Sequence, residues 1–361
     1  MFNRNHHTVL REQTPFQLVN GKVPLSLSPG FILPQDKRPL LSQVSKLATI
    51  PVINMEDEDG HGPSSSLVEK ISQACEEYGF FQIINHGVPE ELSERMMYAI
   101  TEFFNLPPEE RAELFTEDMT KPVRVSNYCL KVVESQLEKK TTMWSETFSH
   151  PWHPVDDFTH LLPRNPPQYR EVTAEYAKEI GVLMKRLLSL ISQGLGLEKD
   201  CIQKRLGESP RLVSQANYYP PCPDPELTLG LAVHTDLNAL TILRQSQGLT
   251  GLQVIKDGQW VSVDPIPNAF VVNLGDQIQV LSNGRYKSVH HRAVTNKDLH
   301  RVSLAIFYGP NKDSIIGPIE DLIDEEHPPA YRKYRFAEFL EEFVKQEGRR
   351  RMVKEAFELR H

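Results

Sequence analysis

The sequence predicts an α+β protein with a mainly β core, a double-stranded β-helix (jelly roll) framed by helices. Two patterns predict this class. Beyond about Val213, short apolar segments recur between turn signals such as P-P-C-P-D-P, K-D-G-Q-W and S-N-G-R, which is typical of sandwiches and jelly rolls. Helical patterns with one apolar stripe lie before and after this β-rich part, so helices are expected on its flanks.

The first 165 residues predict an arm followed by an α/β region. Residues 1–48 are rich in Pro and polar residues and predict an arm that lies over the body. Residues 49–165 predict a region that packs on the core. Its predicted elements are a strand beginning near Ile50, a helix from about Ser65 to Gly79, a buried strand in F-F-Q-I-I-N-H-G-V and a helix from Pro89 to Phe104.

Residues 120–165 combine aromatic side chains with no regular periodicity, so an irregular segment is expected there. Aromatic loops of this kind often line an apolar pocket. They serve equally well as scaffold packing, and the sequence favours neither role. Trp144 and Phe148 are therefore candidate substrate-contacting residues, with scaffold packing as the alternative.

Three further regions complete the predicted organisation. Residues 166–210 predict the longest helix and its connection, because apolar residues recur there at helical spacing. Residues 211–312 predict the jelly-roll core. Within it the pair Asn283 and Gly284 indicates a hairpin, since both residue types tolerate positive φ. Residues 313–361 predict a C-terminal helical region.

Composition and charge argue against several classes of function and favour one cellular location. The chain has 361 residues and a net charge of −8, so no global basic field favours nucleic acid. Its four cysteines form no C-x-x-C pair, which argues against a zinc finger or disulfide framework and favours a reducing compartment. Neither a secretory signal nor a membrane-spanning apolar run is recognised. We therefore expect a cytoplasmic monomer that binds a small molecule, without nucleic-acid or membrane partners.

Two histidines and an aspartate in the β-rich part have the residue types of a non-haem iron site. His234 and Asp236 are one residue apart, so on a strand or strand end both side chains point the same way. His290 or His291, about 55 residues on, could supply the third ligand from a distant strand. Two imidazoles and one carboxylate suit Fe(II) and leave positions open for other ligands. An H-x-D pair alone is weak evidence, because it is also common in hydrolases.

A second group of residues predicts a binding site for a carboxylate. Arg301, Ser303 and Phe307 share one parity on a predicted strand, so they face the same side. An arginine fork and a hydroxyl on that side suit a carboxylate ligand. Asn217 and Tyr219 also share a parity, on the strand before the H-x-D segment. Together these residues predict a pocket with a metal at one end and a carboxylate anchor at the other.

Several longer motifs occur together in the order of a known family. The chain resembles the plant-type 2-oxoglutarate- and Fe(II)-dependent dioxygenases over about residues 48–345, in the branch that holds salicylate hydroxylases, hyoscyamine 6β-hydroxylase and type I flavone synthases. The motifs that carry the resemblance are I-P-V-I-N, Y-G-F-F-Q-I-I-N-H-G-V-P, E-F-F-N-L-P-P-E-E-R, N-Y-Y-P-P-C-P-D-P-E-L-T-L-G, H-T-D, L-S-N-G-R-Y-K-S-V-H-H-R-A-V-T-N and R-V-S.

The resemblance implies a ligand set for the metal. Its iron ligands are His234, Asp236 and His291, because the family's ligand histidine directly precedes Arg292. His290 then becomes a residue of the pocket wall. The resemblance implies no catalytic side chain beyond the metal centre.

The resemblance also implies cosubstrate and substrate contacts. Arg301 and Ser303 hold the distal carboxylate of 2-oxoglutarate, assisted by Tyr219, with Asn217 near the metal-chelating end. Phe307 matches an aromatic position that packs against substrate. The implied cofactors are Fe(II), 2-oxoglutarate and O2, with ascorbate as a stimulant.

The resemblance implies hydroxylation or desaturation of a small, aromatic specialised metabolite, with release of succinate and CO2. A flavanone-like substrate is the first expectation, and a salicylate or an alkaloid is the alternative. Two other classes stay open at this point. They are a non-catalytic jelly-roll protein that binds a small ligand, and a zinc hydrolase that uses the same three ligands.

Overall fold

The structure, a computed structural model, describes residues 24, 26–40, 44–45, 49–56, 64–118, 120–134, 137–346 and 353–359. Its strands are β1 Val52–Asn54, β2 Phe80–Ile84, β3 Arg124–Ser126, β4 Cys129–Glu134, β5 Leu137–Thr142, β6 Glu146–Pro151, β7 Arg211–Tyr219, β8 Leu231–His234, β9 Leu240–Gln245, β10 Leu252–Lys256, β11 Gln259–Val263, β12 Phe270–Leu274, β13 His291–Ala293, β14 Arg301–Gly309, β15 Ile315–Ile316 and β16 Tyr334–Arg335. Its α-helices are α1 Ser65–Glu77, α2 Glu90–Asn105, α3 Pro108–Arg111, α4 Tyr169–Gly194, α5 Cys201–Leu206, α6 Asp276–Leu281 and α7 Phe336–Gln346.

Two sheets form a jelly roll, as the sequence predicts. The large sheet has eight strands in the order β1-β2-β12-β9-β14-β7-β6-β3, and the small sheet has the order β11-β10-β13-β8. Phe80 and Val271 of the large sheet share one buried cluster with Leu252, Val254 and Val261 of the small sheet. The two sheets therefore pack face to face, and the space between them is where a site can form.

The helices cover the other face of the large sheet. Val302, Leu304 and Ile306 of β14 are buried in one cluster with residues of α1, α2 and α4. Because side chains alternate along a strand, the odd-numbered residues of β14 point away from the helices. One face of β14 thus belongs to the helical core, and its other face is available to the space between the sheets.

Residues 120–165 are more regular than the sequence predicts. They contain β3, β4, β5 and β6, and β6 pairs with β7 while β3 pairs with β6 at the edge of the large sheet. The prediction of an irregular segment was wrong because the inward and outward residues of β6 are both buried, which removes the polar alternation that marks a strand.

The Asn283 and Gly284 pair does not form the predicted hairpin. Both residues have positive φ, at 53° and 82°, as their residue types suggest. They follow α6, where the amide of Gly284 donates to the carbonyl oxygen of Gln279 at 2.8 Å. This contact satisfies a carbonyl at the end of a helix, so the same local conformation ends a helix here instead of joining two strands.

The terminal regions pack on the body where the structure describes them. Phe31 is buried beside Trp144, with 5.0 Å between the ring centroids. At the other end, α7 is followed by a short 3-10 helix, Val353–Phe357, whose Phe357 packs on Phe339 of α7. No helix of the described residues is both long and apolar enough to span a membrane.

His150 is a buried histidine that joins the large sheet to α4. Its Nδ1 lies 2.7 Å from the carbonyl oxygen of Pro151, and its Nε2 lies 2.9 Å from the hydroxyl of Tyr169. Burial lowers the pKa of His150 to about 4. The folded state therefore holds this imidazole neutral over a pH range in which the unfolded chain protonates it.

We predict that His150 makes the folded state sensitive to mild acid. Its folded pKa lies below the unfolded value of about 6.5, so stability falls as pH drops below 6.5. Between pH 7 and pH 5, His150 should lower the free energy of unfolding by about 2 kcal/mol. Urea unfolding of the metal-free protein at pH 7 and pH 5 measures this loss. His150→Gln should show a smaller difference between the two pH values than the parent; an equal difference would contradict the prediction.

Candidate active site

Three side chains that could ligate a metal ion meet where β8 and β13 of the small sheet approach the large sheet. His234 ends β8, Asp236 follows two residues later, and His291 begins β13 directly opposite His234 in the antiparallel pair. One ligand atom from each residue lies within 4.8 Å of the others. The Nε2 atoms of His234 and His291 lie 3.6 Å and 3.7 Å from Oδ1 of Asp236. This geometry can hold one metal ion by three ligands on one face.

Backbone carbonyls orient both histidines toward that point. Nδ1 of His234 lies 2.8 Å from the carbonyl oxygen of Ala232, and Nδ1 of His291 lies 3.2 Å from that of Val289. A carbonyl oxygen only accepts, so each Nδ1 carries the hydrogen. Each Nε2 then presents its lone pair to a metal, which is the usual arrangement of a histidine ligand.

The carboxylate of Asp236 is held from the large sheet. Its Oδ2 accepts hydrogen bonds from Thr241 Oγ1 at 2.6 Å and from Asn273 Nδ2 at 2.7 Å. Thr241 on β9 and Asn273 on β12 are directly opposite each other. Because both donors engage Oδ2, Oδ1 is left facing the two histidines.

A cavity of ≈ 330 Å³ extends from this cluster between the sheets. Its wall includes the cosubstrate and substrate residues predicted on β7 and β14: Asn217, Tyr219, Arg301, Ser303 and Phe307. In the antiparallel pairing Arg301 lies opposite Tyr219, and Ser303 lies opposite Asn217. The strand alternation that places Val302 and Leu304 in the helical core therefore places these residues at the cavity.

Arg301 is buried at the cavity, and two of its nitrogen atoms have no hydrogen-bond partner. It is 3% exposed, its Nη2 donates to Gln245 Oε1 at 2.7 Å, and its Nε and Nη1 have no hydrogen-bond partner. Burial lowers the pKa of Arg301, but an arginine stays protonated near neutral pH. Buried donors of native proteins are normally paired. A carboxylate in the cavity would satisfy this guanidinium, so the residues fit one end of 2-oxoglutarate.

Gly251 makes room for Arg301. A Cβ built at Gly251 would lie 2.6 Å from Cδ of Arg301 and 2.8 Å from its Nε. Any larger residue at Gly251 would therefore displace the guanidinium that faces the cavity.

Two of the predicted substrate contacts lie elsewhere. Trp144 is fully buried against Phe31 and donates its indole N–H to the carbonyl oxygen of Pro220 at 3.1 Å. Phe148 is fully buried and stacks on Phe103, with 4.0 Å between the ring centroids. Neither belongs to the cavity wall, so both are removed from the candidate site. Both are packing residues: Trp144 packs in a cluster with Phe31, and β6 directs Phe148 toward the helical core.

Sequence reasoning missed several residues of the site. Nothing in the sequence marked Thr241 and Asn273 as site residues, because a threonine and an asparagine on strands usually have structural roles. Part of the cavity wall comes from α7, whose apolar residues predicted only a closing helix. The cavity-lining members of α7 are Leu340, Phe343 and Val344.

Comparison with known proteins agrees with this geometry. The model of the 2OG-Fe(II) oxygenase superfamily matches residues 210–310, and the model described as the non-haem dioxygenase in morphine synthesis N-terminal matches residues 50–170. The chain is 42% identical over 318 residues to Protein DMR6-LIKE OXYGENASE 2 of Arabidopsis thaliana, covering 87% of this chain and 89% of that protein. The chain therefore belongs to the 2OG-Fe(II) oxygenase superfamily, as a 2-oxoglutarate-dependent dioxygenase of plant specialised metabolism that uses Fe(II) and 2-oxoglutarate.

Other relatives differ in the substrates that their names state. Flavanone 3-dioxygenase 2 of Oryza sativa subsp. japonica is 39% identical over 328 residues, covering 91% of this chain and 93% of that protein. A crystal structure of JOX2 in complex with 2OG, Fe and JA has a TM-score of 0.82 and 35% identity, covering 96% of this chain and 99% of that one. The family thus fixes the class of reaction and leaves the substrate open.

We predict that the two donors to Asp236 contribute to metal affinity. Thr241→Val or Asn273→Leu removes one hydrogen bond to Oδ2, so the carboxylate loses its fixed orientation. Loss of such an orienting partner typically weakens metal binding about 10- to 100-fold. Equilibrium dialysis with Mn(II) measures the change.

Thr101→Val is the matched control for this experiment. Thr101 Oγ1 donates to the carbonyl oxygen of Met97 within α2 and does not line the cavity. Mn(II) affinity should be unchanged in this variant. Parent-like affinity in both Thr241→Val and Asn273→Leu would show that the hydrogen bonds do not matter for the metal.

Proposed function

We propose that His234, Asp236 and His291 bind the Fe(II), and that Arg301 binds the distal carboxylate of 2-oxoglutarate. The observation that carries this assignment is the pair of buried, unpartnered donors of Arg301 in the same cavity as the three ligand atoms. A buried cation without a counter-charge is costly unless an anion enters the site.

The neighbours of Arg301 complete the proposed cosubstrate site. Tyr219 lies beneath the guanidinium, with 5.0 Å between its ring centroid and Cζ of Arg301. Ser303 is two residues further along β14 on the same face and adds a hydroxyl. Asn217 accepts a hydrogen bond from Thr147 Oγ1 at 2.8 Å through its Oδ1, so its amide N–H group remains to serve a ligand at the metal-chelating end.

The bound Fe(II) and 2-oxoglutarate supply the oxidising chemistry, which consumes O2 and releases succinate and CO2 as a substrate C–H bond is hydroxylated or desaturated. The chain's own residues orient the ligands, screen the carboxylate charges and limit water access to the site. We propose no catalytic side chain beyond the metal centre. Stimulation by ascorbate, the cytoplasmic location and the monomeric state remain predictions.

The proposed substrate is a small specialised metabolite with an apolar, aromatic body. Phe307, Val213, Leu340 and Phe343 give the cavity an apolar wall away from Arg301. The cavity volume of ≈ 330 Å³ is near the lower limit for small-molecule sites. A flavanone-like molecule is the first candidate, and a salicylate or an alkaloid is the alternative.

A non-catalytic ligand-binding protein is a weaker proposal. It gives no reason for three preorganised ligand atoms beside a buried arginine with spare donors. A zinc hydrolase is also less suitable, because its reaction needs no carboxylate seat next to the metal.

We predict that anaerobic addition of Fe(II) and 2-oxoglutarate produces a weak visible charge-transfer band. His234→Ala and Asp236→Ala should abolish the band, because each removes a ligand of the metal. Absorption spectroscopy under nitrogen measures it. His327→Ala is the matched control, since His327 is exposed and pairs with Asp324. A band that persists unchanged in both ligand variants would exclude this metal assignment.

We also predict that Arg301→Gln raises the KM for 2-oxoglutarate. The variant loses a charge-assisted hydrogen bond, which is worth about 1.5–3 kcal/mol, or about 10- to 100-fold in affinity. Succinate formation at varied 2-oxoglutarate measures the change. Arg95→Gln should leave KM unaltered, because Arg95 lies on the surface and pairs with Glu175. An unaltered KM in Arg301→Gln would place the cosubstrate elsewhere.

A further inference from the structure

The cavity carries more positive charge than the proposed cosubstrate site uses. Among the described residues that line it, four are arginines, and Asp236 is the one carboxylate. Arg301 is assigned to 2-oxoglutarate. Arg292 is held by the small sheet, where its Nε donates to Gln253 Oε1 at 2.8 Å and its guanidinium stacks on Trp260 at 4.0 Å from the ring centroid. Arg124 and Arg211 remain without a function.

Arg124 is buried at the cavity and only partly satisfied. It is 6% exposed, its Nη1 donates to the carbonyl oxygen of Lys121 at 3.0 Å, and its Nε has no partner. The carboxylate of Asp118 is near enough to interact electrostatically with Arg124. Asp118 is exposed, however, and accepts hydrogen bonds from Thr120. Within the described part of the chain, Arg124 forms no ion pair with a carboxylate.

Arg211 is the second cation at the same place. Its Nη1 donates to Asn238 Oδ1 at 3.4 Å, a long hydrogen bond to a neutral group. Arg211 is an exposed residue at the start of β7. Partial desolvation by neighbouring protein atoms and the like charge of Arg124 lower the pKa of Arg211. Two neighbouring guanidinium groups that share no carboxylate among the described residues favour the arrival of an anion.

Arg211 lies far from Arg301 along the large sheet. Tyr219, beside Arg301, and Arg211 are at opposite ends of β7, eight residues apart, which corresponds to about 26 Å along the strand. The residues between them that line the cavity change from polar at Asn217 and Gln215 to apolar at Val213. Arg124 reaches the cavity from β3, at the level of Gln215, because Ser149 of β6 pairs with both.

The cavity therefore has a cation at each end. One end holds Arg301 and the other holds Arg211, while Arg124 lies at an intermediate level, that of Gln215. The apolar side chains of Phe307, Leu340 and Phe343 also line the cavity. A dicarboxylic cosubstrate would pair with Arg301 and the metal, and it would leave Arg211 and Arg124 without a carboxylate partner in the cavity.

We propose that Arg211 and Arg124 bind an anionic group of the substrate, and that the substrate is a small organic carboxylate with an apolar body. This inference rests on the proposed function, because it assigns to the cosubstrate the end of the cavity that contains Arg301. It favours the salicylate-type alternative over the flavanone-like candidate, since a flavanone has no carboxylate. The apolar body lies against Phe307 and α7, and the carboxylate is held by the two guanidinium groups.

Matched acids and amides test the inference directly. The probes are salicylate and salicylamide, phenylacetate and phenylacetamide, and cinnamate and cinnamamide, with a flavanone as a neutral ligand. Each amide has the shape of its acid and lacks the charge. Isothermal titration calorimetry on the anaerobic Fe(II)–2-oxoglutarate complex gives the Kd of each probe, with no turnover required. We expect at least one acid to bind about tenfold or more tightly than its amide.

Variants assign the preference to the two arginines. Arg211→Gln and Arg124→Gln should each reduce the preference for that acid by about tenfold, with little change in the Kd of the amide. Arg211→Lys should retain part of it, because it keeps the charge and loses the planar fork. Arg95→Gln should keep all of it. Arg124 is buried, so formation of the charge-transfer band verifies that each variant is folded; if Arg124→Gln gives no band, Arg211→Gln and Arg211→Lys decide the result.

The outcomes separate this inference from the proposed function. If the band forms but no acid binds, or acids and amides bind equally, the anionic substrate is excluded and the metal and cosubstrate assignments stand. Equal weakening of acid and amide in the Arg211 variants would likewise overturn the inference, because it would indicate a structural role. Absence of the band in the parent protein would instead overturn the proposed function.

Discussion

The hydrogen bonds from Thr241 and Asn273 to Asp236 connect the two sheets at the point where the chemistry is proposed. The histidines belong to paired strands of the small sheet, while the two donors are cross-strand neighbours in the large sheet. The position of the carboxylate is therefore fixed only when the sheets are packed at the correct distance. A metal at this place both requires that packing and stabilises it, since ligand binding favours the folded state.

Because side chains alternate along a strand, one face of the large sheet packs in the helical core and the other lines the cavity. One face of β14 contributes Val302, Leu304 and Ile306 to the helical core, and the other presents Arg301 and Ser303 to the cavity. A displacement of β14 by one residue would place apolar side chains at the cavity and the arginine among the helices. The burial of those apolar residues thus sets the register that the cosubstrate site needs.

The sequence predicted the residues whose identity is chemically distinctive. His234, Asp236 and Arg301 could be proposed because their types and parity suit a metal and a carboxylate, whereas the choice of His291 over His290 came from the family resemblance. The structure brings all four residues to one cavity. Long-range pairing could not be predicted in the same way. The Asn283 and Gly284 pair fixes only a local φ, which serves a helix end as well as a hairpin, and aromatic residues such as Trp144 bury as readily in a core as in a pocket. The donors to Asp236 needed a register that only the folded sheets define.

The helix α7 contributes a part of the cavity wall that lies outside the match to the oxygenase family model. Leu340, Phe343 and Val344 form part of the cavity wall, yet they lie beyond residue 310, where the match to the oxygenase family model stops. The three proposed metal ligands and Arg301 all precede that point. Changes in this late segment can alter the shape and apolar character of the cavity while the ligands keep their positions.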